Sequence, residues 1–377
     1  MTGVSSEPSG FAAAPSGGSA TGRCGGLECL SEWDNLVTSW RLASRGKSAS
    51  EPVARFANGV GEQLLDLQYR LRHGLWRPGP YVHFTIHEPK RRLISAAPFA
   101  DRVVHHALCR VIEPRFEAAF VPWSYANRVG KGTHRAVNRL QALARKHRWA
   151  LRLDVVRHFP SLDHAVLRDL LWRRVPEPGL RGLIDLILAS GDGIHDADAD
   201  ARLFPGDDLL ALARPRGLPI GNLTSQFWSN VFMDPLDKFV MRELGISAYL
   251  RYVDDFTLLN DQRERLQQAR ERIIEFLARR LRLRVHEESA QVQACAHGIP
   301  WLGFVVFPDH RRVKARKVVQ ATRRLAERHA AWQSGDISFA EFDASVQGWI
   351  NHVSSADSWG LRRHVLIRLP LEGMPLR

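Results

Sequence analysis

Three carboxylates in this sequence stand where they could hold divalent metal ions. Asp254 and Asp255 are adjacent within Tyr249-Leu250-Arg251-Tyr252-Val253-Asp254-Asp255-Phe256-Thr257-Leu258-Leu259. Asp154 closes the apolar run Leu151-Arg152-Leu153-Asp154, which continues as Val155-Val156, 100 positions upstream. Adjacent like charges repel, and setting them beside apolar strands is costly unless something neutralises them. Hard cations with oxygen ligands do so. Mg²⁺ typically takes one or two protein carboxylates and fills its shell with water and substrate phosphates. Two such ions, held by carboxylates from two strands, clamp the attacking and leaving oxygens of a nucleotidyl transfer in line. Alone, the Asp-Asp pair leans only modestly to a metal site over a solvated acidic turn, since such pairs are common in turns. The upstream carboxylate is what points to chemistry.

The elements that must position these groups follow from periodicity. The runs flanking Asp254 and Asp255 alternate with period two, which predicts a hairpin with both carboxylates in its turn, and the run ending at Asp154 predicts a strand. A second hairpin is expected over Val82 to Ser95, with Lys90, Arg91 and Arg92 near its tip. Helices are expected from Ser31 (as N-cap, with Trp33, Leu36, Val37 and Trp40 inward), over 51–73, 98–119 and 164–175, after His134 (with Ala136, Val137 and Leu140), and from Gln226 onward. Others are expected over 261–283, 311–333 and 336–355. His105 and His106 lie on one of them. As i, i+1 neighbours they point in different directions, so packing is the better reading than metal ligation. Ser124 to His134 is a glycine-containing loop whose Arg128 and Lys131 are expected to be open to phosphate, but it lacks the spacing of a nucleotide P-loop. Residues 190–216 read as an acidic, solvated connection, and residues 1–29 as a flexible tail rich in Gly, Ser, Ala and Pro.

Composition agrees with a polyanionic partner. The 377 residues are 45% hydrophobic, enough for a substantial core, and carry a formal net charge of +13 with a pI near 10.2. Of 53 basic residues only seven are lysine, at positions 47, 90, 131, 146, 238, 314 and 317. Arginine favours forked phosphate contacts. No run is long enough to span a bilayer and no signal-peptide order is seen, so a cytoplasmic protein is expected. Cys24, Cys29, Cys109 and Cys295 form neither a disulfide framework nor zinc spacing.

With Asp154 followed by the Tyr-x-Asp-Asp hairpin, the chain resembles the palm of reverse transcriptases, and the basic hairpin ahead of them is similar to that family's fingers. Ile220-Gly221-Asn222-Leu223-Thr224-Ser225-Gln226, the stretch Pro98 to His106, the loop from Ser124 and Gln347-Gly348-Trp349-Ile350-Asn351-His352 are similar to those of diversity-generating retroelements. Group II intron enzymes typically read Gln-Gly-x-x-x-Ser-Pro at the first of these. The likeness extends over about residues 80–355.

The resemblance implies an α+β right-hand polymerase fold with fingers, a palm built on an antiparallel sheet, and a helical thumb. Its expected divisions are a tail over 1–29, N-terminal helices and fingers over 30–150, palm over 151–305, and thumb with C-terminal tail over 306–377. It implies Asp154, Asp254 and Asp255 as catalytic residues. Two Mg²⁺ ions, or Mn²⁺ in their place, would be held by Asp154, Val155, Asp254 and Asp255. Lys90, Arg92, Phe159, Gly221 and Gln226 would meet the dNTP, with Phe159 as the ring that rejects a 2′-OH. Arg128, Lys131, Ile220, Trp301, Leu302 and Gly303 would meet template or primer. Relatives carry lysines near Glu288 and Ser289, one able to protonate pyrophosphate. This chain has none there, leaving His286 or an arginine to substitute. The implied partners are template RNA, cDNA primer, dNTPs and a small basic accessory variability protein. Copying would be error-prone at template adenines, because Ile220 replaces a hydrogen-bonding glutamine. The rivals are a reverse transcriptase of another bacterial lineage (retron, defence or CRISPR-associated) and a non-catalytic RNA-binding protein on the same scaffold. No fused endonuclease, maturase or integrase segment is expected in the remaining residues.

Overall fold

A computed structural model describes residues 26–47, 50–87, 91–195 and 203–367. Lys90, Cys24 and most of the expected tail lie outside the described residues. The chain opens with four helices, α1 (Leu27–Leu30), α2 (Trp33–Ser44), α3 (Glu51–Ala57) and α4 (Val60–Arg72). Two expectations change here. Ser31 is not the cap of α2: Glu32 holds that position, and the Ser31 hydroxyl donates instead to the Glu28 carbonyl at 3.2 Å. The single helix expected over 51–73 is two, broken at Asn58 and Gly59, where φ of Gly59 swings to −141°.

The basic hairpin forms as β1 (Val82–Ile86) and β2 (Arg92–Ala96). The long apolar-striped helix α5 (Phe99–Glu117) follows, then α6 (Thr133–Ala144) and β3 (Trp149–Asp154). A short turn, α7 (His158–Ser161), leads to α8 (His164–Trp172). Its N-cap Asp163 accepts from Val166 N at 3.0 Å. Next come α9 (Pro178–Ala189), α10 (Leu223–Lys238), β4 (Tyr249–Tyr252), β5 (Asp255–Asn260) and α11 (Arg263–Phe276). The chain closes with β6 (Val292–Ala294), β7 (Ile299–Trp301), β8 (Phe304–Val306), β9 (Arg311–Val313), α12 (Ala315–Gln333), α13 (Phe339–Val353) and α14 (Trp359–Leu366). Residues 311–313, expected as helix, are therefore strand.

The central sheet runs β4-β5-β3-β6, antiparallel throughout, and a smaller antiparallel sheet runs β7-β8-β9. Strand alternation gives the central sheet two faces. Leu151, Leu153, Val155, Phe256 and Leu258 enter the main core with α5, α8, α10 and α11. Ala150, Leu250 and Leu259 face α6 and the smaller sheet. Arg152 and Asp154 continue this second face, and so does Asp255. The central sheet is thus packed on both sides at one end, and the second face carries its charged groups at the other. A third, small core of Leu325, Phe342 and Val365 joins α12, α13 and α14. Among the described residues no helix is long and apolar enough to cross a membrane.

The described part of the acidic connection is mostly exposed, as expected, with residues 196–202 outside the described residues; among its acids the exception is the Asp207 side chain, 4% exposed and paired with Arg214. Ahead of the connection, the buried Asp163 accepts from Arg282 at 2.8 Å, which neutralises its charge.

Candidate active site

The three carboxylates meet at one end of β3 and β5. Asp154 lies directly across from Asp255 in the β3–β5 register, and Val155 N donates to Asp254 O at 3.2 Å. On its other side β3 is continued by the segment after α11: Val155 bridges Val285, and His286 N donates to Asp154 O at 2.9 Å. The exposed His286 is therefore the lateral neighbour of Asp154.

Asp255 differs from the other two. Arg152, two residues before Asp154 on the same face, forks onto it, Nε to Oδ1 at 2.8 Å and Nη2 to Oδ2 at 2.6 Å. The same Nη2 stands 4.0 Å from Asp154 Oδ2. Burial pushes the Asp255 carboxyl up to about 6. Arg152 opposes this, while the charges of Asp154 and Asp254 add to it. With both its oxygens on a guanidinium, Asp255 is an anchor for Arg152 more than a ligand open to metal. Among the described residues no group of three His, Cys, Asp or Glu side chains is arranged as a metal site. Asp154 and Asp254, each with interactions of its own, are hard oxygen donors in the number that Mg²⁺ takes from protein when phosphates complete its shell. The donor set fits a hard cation.

Behind the turn, Arg251 is buried at 1% exposure, against Asp237 at 0%. The Val253 carbonyl accepts from Arg251 Nη1 at 2.9 Å.

Phe159 sits on α7, half-buried against the main core; its carbonyl accepts from Leu218 N at 2.9 Å. That bond draws the 216–222 segment beside it. Ile220 is half-buried, and its carbonyl accepts from Ser95 N at 2.9 Å. The Asn222 amide donates to Ser95 O at 2.9 Å, stitching the start of α10 to β2. Gly221 has φ of 117°, and a Cβ there would stand 3.0 Å from Ile94 Cγ2, so both backbone and space call for glycine. Gln226 is half-buried in the first turn of α10, and Arg92 is exposed at the start of β2.

Three expected contacts are corrected. Arg128 is not open to phosphate: it is 9% exposed, bonded to Glu117 and to the carbonyls of Val121 and Ser124. Lys131 Nζ donates to Pro122 O at 2.7 Å and lies over the Tyr125 ring, so it too is engaged within its own loop. Trp301 is fully buried in the core under the smaller sheet. Leu302 and Gly303, by contrast, form the tip of the β7–β8 hairpin. His105 is buried and its pKa falls to about 3 through burial, in keeping with a packing role.

Sequence reasoning missed Arg152, Arg251 and Lys314. Lys314 N donates to Gly303 O at 2.9 Å, and its ammonium feels both Arg152 and Asp255; burial lowers its pKa. The signal available for it was scarcity, since lysine is rare in this chain.

A family model described as "Reverse transcriptase (RNA-dependent DNA polymerase)" matches residues 86–306. The chain is 22% identical over 348 residues to Protein YkfC of Escherichia coli, covering 80% of this chain and 87% of that one. It is 22% identical to the group II intron-encoded protein LtrA of Lactococcus lactis over 53% of this chain, and spans 32% of LtrA. Among solved structures, an apo telomerase from Candida tropicalis matches 67% of this chain and 60% of its own, at 11% identity and a TM-score of 0.46.

Proposed function

The chain belongs to the reverse transcriptase family, with that family's right-hand fold, and from this premise we propose that it copies RNA into DNA at the end of β3 and β5. The observation that carries the reading is the register that sets Asp154 across from Asp255, with Asp254 bonded to the next residue of β3. Carboxylates on adjacent strands are what two-ion nucleotidyl transfer requires.

Asp154 and Asp254 would hold the divalent ions, with Val155 beside them; such ions would supply activation of the primer 3′-OH and stabilisation of the pyrophosphate leaving group. Asp255 assists by fixing Arg152 on the same face. The primer hydroxyl attacks the α-phosphate of a dNTP, one phosphodiester forms, and pyrophosphate leaves. Phe159 meets the sugar and rejects a 2′-OH. Lys90 and Arg92 close on the triphosphate, and Gly221 with Gln226 lines the floor under the nascent pair. Leu302 and Gly303 steady the primer end. The N-terminal region to about residue 150 serves as fingers, 151–305 as palm and 306–377 as thumb, whose basic α12 follows the duplex backbone.

Within the family, we place the chain with the enzymes of diversity-generating retroelements, acting on a template-repeat RNA with a small basic accessory protein. Support for this comes from Ile220-Gly221-x-x-x-Ser225-Gln226 at the start of α10. An apolar side chain at 220 offers no amide to the nascent pair, so discrimination loosens. Primer extension on a homopolymer RNA template tests the activity. Asp154→Ala or Asp254→Ala must abolish it, and an active Asp254→Ala protein would remove the assignment. Sequencing the cDNA tests the lineage: Ile220→Gln should lower misincorporation opposite adenine, and an unchanged error spectrum would count against it.

A further inference from the structure

The turn carrying Asp254 has a backbone that its own residues do not favour. Tyr252 and Asp255 face each other at the end of the β4–β5 ladder, so Val253 and Asp254 are its two central residues. Val253 has φ of 59°. A β-branched side chain is out of place in the left-handed region, where tight hairpins usually put glycine, asparagine or aspartate. Such a backbone persists only where its surroundings over-determine it.

Those surroundings converge on one guanidinium. Nη1 of Arg251 donates to the Val253 carbonyl at 2.9 Å and to Asn230 Oδ1 at 3.1 Å. Nε and Nη2 fork onto Asp237, each at 2.7 Å, and the Tyr249 hydroxyl donates to the same carboxylate at 2.6 Å. The main chain of Arg251 is fixed as well, its N–H donating to Trp123 O and its carbonyl accepting from Tyr125 N, both at 2.9 Å. Neither Arg251 nor Asp237 has solvent to turn to. With Nε and Nη2 committed to Asp237, Nη1 is aimed at the turn.

We propose that Arg251, oriented by Asp237 and Asn230, is a positioning residue for polymerisation: it holds the Val253 carbonyl, keeps the turn left-handed at Val253, and so fixes where Asp254 stands. This rests on the reading of Asp254 as an ion-holding carboxylate. An ion pair serving stability alone would gain nothing from the backbone of residue 253 being easier to bend. A positioning clamp would.

The experiment uses the full chain in primer extension on an RNA template. Arg251→Lys keeps a positive charge opposite Asp237 but lacks the fork, so one ammonium cannot serve Asp237 and the Val253 carbonyl together. Displacing a reacting group by about 1 Å costs on the order of 10²-fold in rate, so kcat should fall by about that factor with the KM for dNTP and primer–template affinity retained. Adding Val253→Gly should restore most of the lost kcat, because glycine adopts positive φ without steric cost. An Arg251→Lys enzyme with unchanged kcat, or a double variant no faster than the single one, overturns the proposal. Should Arg251→Lys fail to fold, Asn230→Ala takes its place: it removes one acceptor of Nη1 and leaves the ion pair. A smaller fall in kcat, again relieved by Val253→Gly, is then expected, and no fall overturns the proposal. A wild type that extends no primer overturns the parent reading and this one together. An active wild type with an indifferent Arg251 overturns this one alone.

Discussion

Two hairpins in this molecule solve the same geometric problem in different ways. In β7–β8, Trp301 faces Phe304 across a two-residue turn of Leu302 and Gly303, at φ of 46° and 90°. In β4–β5 the turn is Val253 and Asp254, with φ of 59° at Val253 and no glycine. The first turn meets half of its left-handed requirement by residue choice, and a backbone N–H from Lys314 holds the Gly303 carbonyl. The second gives one central position to a carboxylate and the other to valine, and a buried guanidinium holds it from behind. A turn that presents no acid can use glycine. A turn that has to present an acid at a fixed place takes its rigidity from the core.

The sharpest way to break this contrast is to remove the acids. Asp154→Asn and Asp254→Asn should each lower kcat for primer extension by about three orders of magnitude, the scale of losing an ion worth several kcal/mol in the transition state. Leu302→Ala, in the other turn, should act mainly on primer affinity. Steady-state kinetics with varied primer–template separates the two outcomes. Next in size is Arg152→Leu, which strands the Asp255 carboxylate; removing one partner of a mostly buried pair should cost about 3 kcal/mol, read from urea denaturation in chelator.

The third prediction concerns pH. The Asp255 carboxyl is raised from 3.8 to about 6 by burial, so between those values the native protein keeps a proton that the unfolded chain gives up. Stability from this group is present at low pH and is lost as pH rises through about 6, a change of about 3 kcal/mol in all. Melting of metal-free wild type against Asp255→Asn from pH 4.5 to 7 should show a steeper fall in the wild type, over the fall that Glu113, itself raised to about 7 by burial, gives to both. No acid stands in the β7–β8 turn, so a Leu302 variant should leave the slope in place. Smallest is Gly303→Ala, expected to cost about 1–2 kcal/mol at a left-handed position. A cost near zero would mean that the β7–β8 turn is held by Lys314 alone.

Much of the site's frame was legible in sequence, because alternation is a local signal. Leu151, Leu153 and Val155 set against Arg152 and Asp154 give β3 its two faces, and Phe256 with Leu258 does the same for β5. The burial of Trp301 was missed, since the run reads in sequence as a primer-gripping turn although Ile299 and Trp301 share the buried face of β7. The arginines were not legible. Arg128, Arg152 and Arg251 look alike in a chain whose basic residues are nearly all arginine, and each is defined by a carboxylate elsewhere, at Glu117, Asp255 and Asp237. Only folding says which guanidinium meets solvent and which is walled in. Lys314 reaches the site because β9 returns the chain to the β7–β8 turn, a long-range placement that its neighbours in sequence do not encode.

Helix α10 has a mechanical consequence. Asn222 ties its first turn to β2, and Asp237 in its last turn grips the guanidinium behind the Asp254 turn. Between them runs a 16-residue helix, about 24 Å long. The basic hairpin and the Asp254 turn are thus fastened to opposite ends of one helix, so neither can be re-aimed without straining a bond that the helix carries.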